Sequence, residues 1–274
     1  MQQSTYDFLR DFLVRHSGLA LSEQKRYLVE TRLVKIVRDY ELADINAVVA
    51  ELRKNEKSKL AQDVIESMTT NETMFYRDKH PFESLAEHIA PEMLERHRQL
   101  RVWSAACSRG QEPYTIAMVL DKLMPDSLRR CRIVGTDLDE VALRYADAGV
   151  YTQMEVQRGL GVRDLVQYFE QDNVNWKVHN KLRGMVKFQK LNLIDDASVA
   201  SIRGEGEFHV VFCRNVLIYF SPEERCRVID RISKRMVVGG YLFTGATEVI
   251  GQTKSEWAPV KKGQSRLWQL LKSA

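Results

Sequence analysis

The chemistry in this chain gathers around one strand–turn–helix unit and the acidic residue that closes the next strand. An apolar strand, Leu100 to Trp103, runs through the small-residue turn Ser104-Ala105-Ala106-Cys107-Ser108-Arg109-Gly110 into a helix carrying Ile116, Ala117, Val119, Leu120 and Leu123. A second strand, Cys131 to Thr136, ends in Asp137. Doubly wound folds hold an adenosine cofactor with this arrangement: the turn lets the ligand approach the backbone, and the carboxylate accepts hydrogen bonds from ribose hydroxyls. The turn lacks a full glycine set, so its company elsewhere in the chain matters.

Two further segments carry reactive side chains. Thr69-Thr70-Asn71-Glu72-Thr73-Met74-Phe75-Tyr76-Arg77-Asp78 is an unusual connection. Its short polar side chains suit the wall of a cofactor pocket, and the Arg77 guanidinium can hold a carboxylate by two parallel hydrogen bonds. The bland alternative makes Thr69 or Thr70 a helix cap and Phe75 a core anchor. The second segment, Phe212-Cys213-Arg214-Asn215-Val216-Leu217-Ile218-Tyr219-Phe220, closes a buried strand. Tyr219 is either a core ring or, just past a strand's carboxyl end, an active-site hydroxyl. Methyltransferases acting on bases place Asn/Asp-Pro-Pro-Tyr/Phe at this point to present a flipped base. Asn215 has no proline after it, which disfavours a base as substrate.

These residues need a framework. Residues 5–68 read as helices alone: Phe8, Phe12 and Leu13 before Gly18, a longer helix from Ser22 toward Tyr40, then Ile45 to Leu52 and Leu60 to Met68. In the second helix Val29, Leu33, Ile36, Val37 and Tyr40 share one side, while Lys25, Arg32, Lys35 and Arg38 fall around the other. That basic stripe is either a solvated face or a docking surface for an acidic partner. From about residue 82 strands and helices alternate. Strands are expected at Leu100–Trp103, Cys131–Thr136, Val186–Leu191, Phe208–Cys213, Tyr241–Thr244 and Ser265–Leu270. Such alternation implies a mostly parallel sheet covered on both faces, with binding at the carboxyl ends of its strands. Residues 157–185 interrupt the rhythm as an inserted helix-plus-hairpin element.

The 274 residues are 44% hydrophobic and 28% charged, the balance of a globular protein with a sizeable core. No apolar run approaches the roughly 20 residues of a membrane span, and the first residues lack the pattern of a signal peptide, so a cytoplasmic location is expected. Cys107, Cys131, Cys213 and Cys226 form no C-x-x-C pair and read as buried thiols, neither disulfides nor zinc ligands. Net charge is +4, and residues 1–70 hold 11 Lys+Arg against 11 Asp+Glu. The helical region is therefore neutral in bulk, which argues against nucleic acid.

Taken in order, Thr69-Thr70-Asn71-x-Thr73-x-Phe75-Tyr76-Arg77, Trp103-Ser104-Ala105-Ala106-Cys107-Ser108, Gly110-x-Glu112-Pro113-Tyr114, Gly135-Thr136-Asp137-Leu138-Asp139 and Cys213-Arg214-Asn215-Val216-Leu217-Ile218-Tyr219-Phe220 resemble the CheR chemotaxis receptor methyltransferases. The likeness covers nearly the whole chain. It implies a small all-α N-terminal receptor-docking domain (1–70), a linker contributing to the active site (71–81), and a Rossmann-like α/β methyltransferase domain (82–274) with a small inserted β-subdomain (157–185). It implies S-adenosylmethionine as cofactor, S-adenosylhomocysteine as product, no metal, and receptor glutamates as substrate. By position, Glu112 and Asp137 would hold the amino and ribose ends of the cofactor. Asn71, Thr73, Ala106, Asn192, Leu193, Asn215 and Val216 would line its pocket. Arg77 and Tyr219 would flank the transferred methyl group, and Arg32, Lys35 and Arg38 would face the helical bundle of methyl-accepting receptors.

Two departures stand out. The family usually has glycine where Ala106 stands, a modest change if that backbone needs no positive φ. It usually has a small hydroxyl residue where Arg109 stands, so Arg109 either crowds the turn or points to solvent. The Asn173–Asn180 region is short for gripping a receptor tail, so no dependence on such a tail is expected. The resemblance further implies recruitment to membrane receptor arrays without insertion, and the N-terminal domain could also meet a protein regulator. The competing readings are an RNA or small-molecule methyltransferase of the same fold, and a cofactor-bound module without turnover.

Overall fold

The computed structural model describes residues 1–124, 126–202 and 206–274. The chain divides into two compact units, one of Met1–Thr70 with Ile218–Arg225, the other of Asn71–Leu217 with Cys226–Ala274.

The first unit contains helices α1 (Gln3–Ser17), α2 (Arg26–Asp39), α3 (Ile45–Lys54) and α4 (Lys59–Ser67). Local chemistry sets their ends. Gly18 takes φ 73° and donates its N–H to the Val14 carbonyl at 3.0 Å, closing α1. The side chains of Asp44 and Ser58 accept from Ala47 and Ala61, capping α3 and α4. The apolar stripes then meet: Leu9, Phe12, Leu13, Val29, Leu33, Val48, Leu52 and Val64 are all buried. The helix expected to open at Ser22 begins as a 3-10 turn, Glu23–Lys25, and α2 proper starts at Arg26.

The second unit is built on a seven-stranded sheet. Its strands are β1 (Leu100–Ala105), β2 (Cys131–Asp137), β6 (Val186–Lys190), β7 (Phe208–Cys213), β8 (Met236–Thr244), β9 (Glu256–Lys262) and β10 (Ser265–Lys272), in the order β6-β2-β1-β7-β8-β10-β9. The β6-β2-β1-β7-β8 run is parallel, and β10 joins β8 antiparallel. All six residues of β7 are buried, as a strand covered on both faces requires. The expected strand at Tyr241 begins five residues earlier, at Met236. Strand β9 was not among the expected strands; it lies at the sheet edge, where a proline such as Pro259 is tolerated.

A smaller sheet, order β3-β5-β4, is formed by β3 (Val150–Thr152), β4 (Phe169–Asp172) and β5 (Asn175–Val178). The expected hairpin is β4–β5, and the helix Val162–Tyr168 precedes it, but β3 lies upstream of residue 157. Cys107, Cys131 and Cys213 are buried thiols; Cys226 departs from the expectation and is only half-buried, with Sγ 3.6 Å from the Ile250 carbonyl.

Candidate functional site

Strand register brings the candidate residues of the second unit into one row. Ala105 lies opposite Thr136 of β2 and Cys213 of β7, and Cys213 lies opposite Thr244 of β8. The carboxyl ends of four parallel strands are therefore level, and Ala106, Asp137, Arg214 and Gly245 follow immediately. This is the end of an open α/β sheet where ligands bind.

The turn after β1 has an unusual backbone. Ala106, Ser108 and Gly110 take φ of 61°, 51° and 90°. Gly110 is required, since a Cβ there would stand 2.8 Å from the Ala146 methyl. Ala106 does occupy the left-handed region, so replacing glycine there is a strained change and not the modest one expected for an ordinary φ. Arg109 neither crowds the turn nor lies free in solvent. Its Nη1 donates to Glu155 Oε1 at 2.9 Å and its guanidinium lies 4.3 Å from the Tyr145 ring centroid.

Asp137 organises the turn. Its Oδ2 accepts the Ser108 N–H at 2.7 Å and its Oδ1 the Asp139 N–H at 3.0 Å. Burial pushes its carboxyl up to about 6, and the backbone hydrogen bonds oppose that shift. The Leu138 amide also contributes, and a carboxylate has about four acceptor positions, so Asp137 keeps acceptor capacity for a ligand. Asp139 caps the helix Glu140–Ala148 and accepts from Asn71 Nδ2 at 2.6 Å; Ser108 Oγ donates to the Asn71 carbonyl at 3.1 Å. Asn71 is thereby joined to the Asp137 turn.

Glu112 belongs to a second network. Its Oε1 accepts from Ser104 Oγ at 2.7 Å and its Oε2 from Arg214 Nη1 at 2.9 Å. Arg214, with a side chain 2% exposed, also donates from Nη2 to Asp78 Oδ2 at 2.6 Å and to the Arg77 carbonyl at 3.1 Å. One guanidinium thus ties the segment carrying Arg77 to Glu112. The Arg77 side chain itself is half-buried, with Nη1 donating to the Glu72 carbonyl at 3.1 Å. Asn215 takes φ 59°, and its N–H is held by Glu248 Oε2 at 2.9 Å, which also accepts from Gly245 N at 2.6 Å.

The remaining expected residues are placed as follows. Leu191 N donates to the Asp137 carbonyl at 2.8 Å, so Asn192 and Leu193 continue from a strand end docked on β2. Leu193 is buried and Asn192 half-buried; Thr73 and Val216 are half-buried. Tyr219 falls in the first unit, where its carbonyl accepts from Ala20 N at 2.8 Å and Lys25 Nζ lies 5.8 Å from its ring centroid. On α2, Lys35 and Arg38 are exposed, the latter beside Asp39 at 3.1 Å. Arg32 is half-buried: its guanidinium donates to the Thr69 carbonyl at 2.8 Å and Thr70 Oγ1 at 3.1 Å, and burial lowers its pKa.

Sequence reasoning gave no role to Arg214, Asp139, Glu248 or Asp78. Arg214 had a signal, because a charge directly after six buried residues needs partners. Asp139 had one too, as an aspartate at the start of a helix. Glu248 had none, since its partners are backbone amides distant in sequence.

Comparison with known proteins decides the family. Residues 4–69 match the family model for the CheR methyltransferase all-alpha domain, and residues 71–266 that for the CheR methyltransferase SAM binding domain. The chain belongs to the CheR methyltransferase family. Chemotaxis protein methyltransferase Cher2 of Pseudomonas putida is 36% identical over 98% of this chain and 99% of its own length. Chemotaxis protein methyltransferase 1 of Pseudomonas aeruginosa is 37% identical over 93% and 94%, and the chemotaxis protein methyltransferase of Escherichia coli 32% over 88% and 82%. Among solved structures, an O-methyltransferase family protein from Burkholderia thailandensis is 16% identical over 96% of this chain and 72% of its own, with a TM-score of 0.42. CheR membership makes this chain an S-adenosylmethionine-dependent methyltransferase of chemotaxis. The residues present fit such a cofactor in kind: Asp137 keeps acceptor capacity for hydroxyl donors, and Glu112 is a carboxylate within reach of the same strand ends. Among the described residues no cluster of His, Cys, Asp and Glu could hold a metal ion, and no helix is long and apolar enough to cross a membrane.

Proposed function

We propose that this CheR protein methylates glutamate side chains of the cytoplasmic helices of methyl-accepting chemotaxis receptors, forming glutamyl methyl esters. The observation that carries the reading is a pair of carboxylates, the buried Asp137 at the end of β2 and the half-buried Glu112 in the first turn of the helix after β1, beside a segment that presents Arg77. In this reading Asp137 accepts the ribose hydroxyls and Glu112 the ammonium, while Asn71, Thr73, Ala106, Asn192, Leu193, Asn215 and Val216 line the pocket.

When bound, S-adenosylmethionine would supply an electrophilic methyl group on a sulfonium, with the thioether of S-adenosylhomocysteine as leaving group. A glutamate with a pKa near 4.3 is already ionised at neutral pH, so the protein needs no general base. What its residues do is align and exclude water, which supplies up to about 7–11 kcal/mol in favourable cases. Arg77 orients the incoming carboxylate without gripping it, since a tight pair would stabilise the ground state. Tyr219 fixes one carboxylate oxygen. Residues 1–70 dock the receptor through Lys35 and Arg38, with Arg32 holding α2 to residues 69–70; 71–81 form the linker, and 82–274 the catalytic domain with its insertion at 157–185. The protein works in the cytoplasm at receptor arrays.

The test is transfer of labelled methyl from S-adenosylmethionine to a receptor cytoplasmic fragment, followed by mild alkali. Volatile methanol is the expected product. Cofactor binding with no alkali-labile label on the receptor would refute the glutamate assignment.

A further inference from the structure

A cleft of about 750 Å³ opens at the carboxyl end of β8. Its wall includes Arg214 and Asp78 from the Glu112 network, its floor Phe243 and Leu267, and its outer rim Lys261 and Arg266 of the β9–β10 hairpin. Lys261 and Arg266 are direct cross-strand partners in the antiparallel ladder, and both are exposed. Two like charges placed directly opposite each other destabilise a hairpin.

Neighbouring cations of the same hairpin are neutralised: Lys262 reaches Glu92 at 2.7 Å and Lys272 reaches Glu256 at 3.4 Å. Inside the cleft the other charges are also matched. Arg214 holds Asp78 and Glu112, and Glu248 accepts two backbone amides. Lys261 and Arg266 form no ion pair or side-chain hydrogen bond among the described residues. Two positions along the ladder, on the same face, Pro259 lies opposite Trp268 and adds an apolar platform that also lines the cleft.

We infer that this cleft is a docking site for acidic side chains of the protein substrate, flanking the glutamate that is methylated. Charge complementarity argues for that occupant, because the unmatched cations lie at the rim and the floor is apolar. Placement argues for it too, because Arg214 and Asp78 join this wall to the segment presenting Arg77. An acidic amphipathic helix would set its apolar side on Trp268 and Pro259 and its carboxylates on Lys261 and Arg266. The inference rests on the methyltransferase reading above.

The experiment compares the full chain with K261E/R266E, and with K261A/R266A as the milder variant, using a receptor cytoplasmic fragment and S-adenosylmethionine. Rim charges act mainly on association and its salt dependence. The double reversal is expected to raise KM for the receptor about tenfold, change kcat less than twofold, leave the cofactor Kd unchanged and flatten the rise of KM with NaCl. Lysines substituted for the acidic residues flanking the target glutamate should recover the receptor KM of K261E/R266E. An unchanged receptor KM in both folded variants, or a raised cofactor Kd in either, would overturn the docking site while leaving methyl transfer by the parent intact. No alkali-labile transfer by the parent would remove the methyltransferase reading, and the docking site with it.

Discussion

Replacing Arg214 by methionine isolates the electrostatic dependence of Glu112 on a buried guanidinium. The side chain of Arg214 is 2% exposed and that of Glu112 13%. Methionine would keep most of the volume and remove the guanidinium, leaving the Glu112 carboxylate with the Ser104 hydroxyl at 2.7 Å. Removing one partner of a buried ion pair typically costs about 3–5 kcal/mol, because the other charge stays behind uncompensated. The Asp78 pair adds little, as that carboxylate is half exposed and solvent screens it. Urea unfolding of R214M should therefore show a loss of about 3 kcal/mol with an unchanged m-value. R214M/E112Q, which removes both charges, should recover a good part of it, and the non-additivity reports the pair directly. A loss below about 1 kcal/mol, or strict additivity in the double mutant, would refute the claim that Arg214 holds a buried Glu112 charge.

Two other changes follow from the turn after β1. Asp137 has its carboxyl raised to about 6 by burial, so its contribution to stability is full below the ordinary aspartate value and is lost as pH rises through about 6. Ribose hydroxyls need the ionised form, so the cofactor Kd should rise about tenfold per pH unit below about 6, and D137N should bind weakly with no such dependence; calorimetric titration from pH 5 to 8 decides it. Ala106→Gly relieves a φ of 61°, and the relief of about 1–2 kcal/mol exceeds the backbone entropy glycine adds to the unfolded chain, about 0.5–1 kcal/mol. A106G should melt slightly higher than the parent, and a fall in Tm would show that Ala106 is not strained.

The fold was legible where its signals are local. The strand–turn–helix at Leu100–Leu123, Asp137 at a strand end and the four amphipathic helices each depend on periodicity within a dozen residues. What escaped depends on distant partners. Strand β9 exists because β10 lies beside it, and Pro259 hides it from any local rule. Strand β3 is three residues long and is defined by pairing with β5 across the helices between them. Arg32 had the spacing of a solvent face, yet Thr69 and Thr70, distant in sequence, capture its guanidinium. Arg109 had too little local context to show that Glu155 and Tyr145 would hold it.

The backbone conformations around the site make the same point in energetic terms. Of the seven described non-glycine residues of the second unit with positive φ, Asn173 lies in the β4–β5 turn and the other six fall in three segments: Tyr76, Asp78 and Lys79; Ala106 and Ser108; and Asn215. Such residues cost roughly 1–3 kcal/mol each and persist only where the surroundings over-determine them. Most have a visible restraint. Tyr76 is fixed by Thr115 Oγ1 at its N–H (3.2 Å) and by Asp164 at its hydroxyl (2.7 Å), and Asp78 by Arg214. Ser108 is fixed by Asp137 and Asn71, and Asn215 by Glu248. For Asp78, Ser108 and Asn215 the restraining groups belong to the candidate site, so a substitution there acts on backbone geometry as well as on charge. Ala106 offers only a methyl group and must be held by its neighbours at Ser108 and Gly110. Strain at that position is therefore imposed by the turn as a whole, which is why its relief should raise stability without disturbing the Asp137 and Glu112 networks.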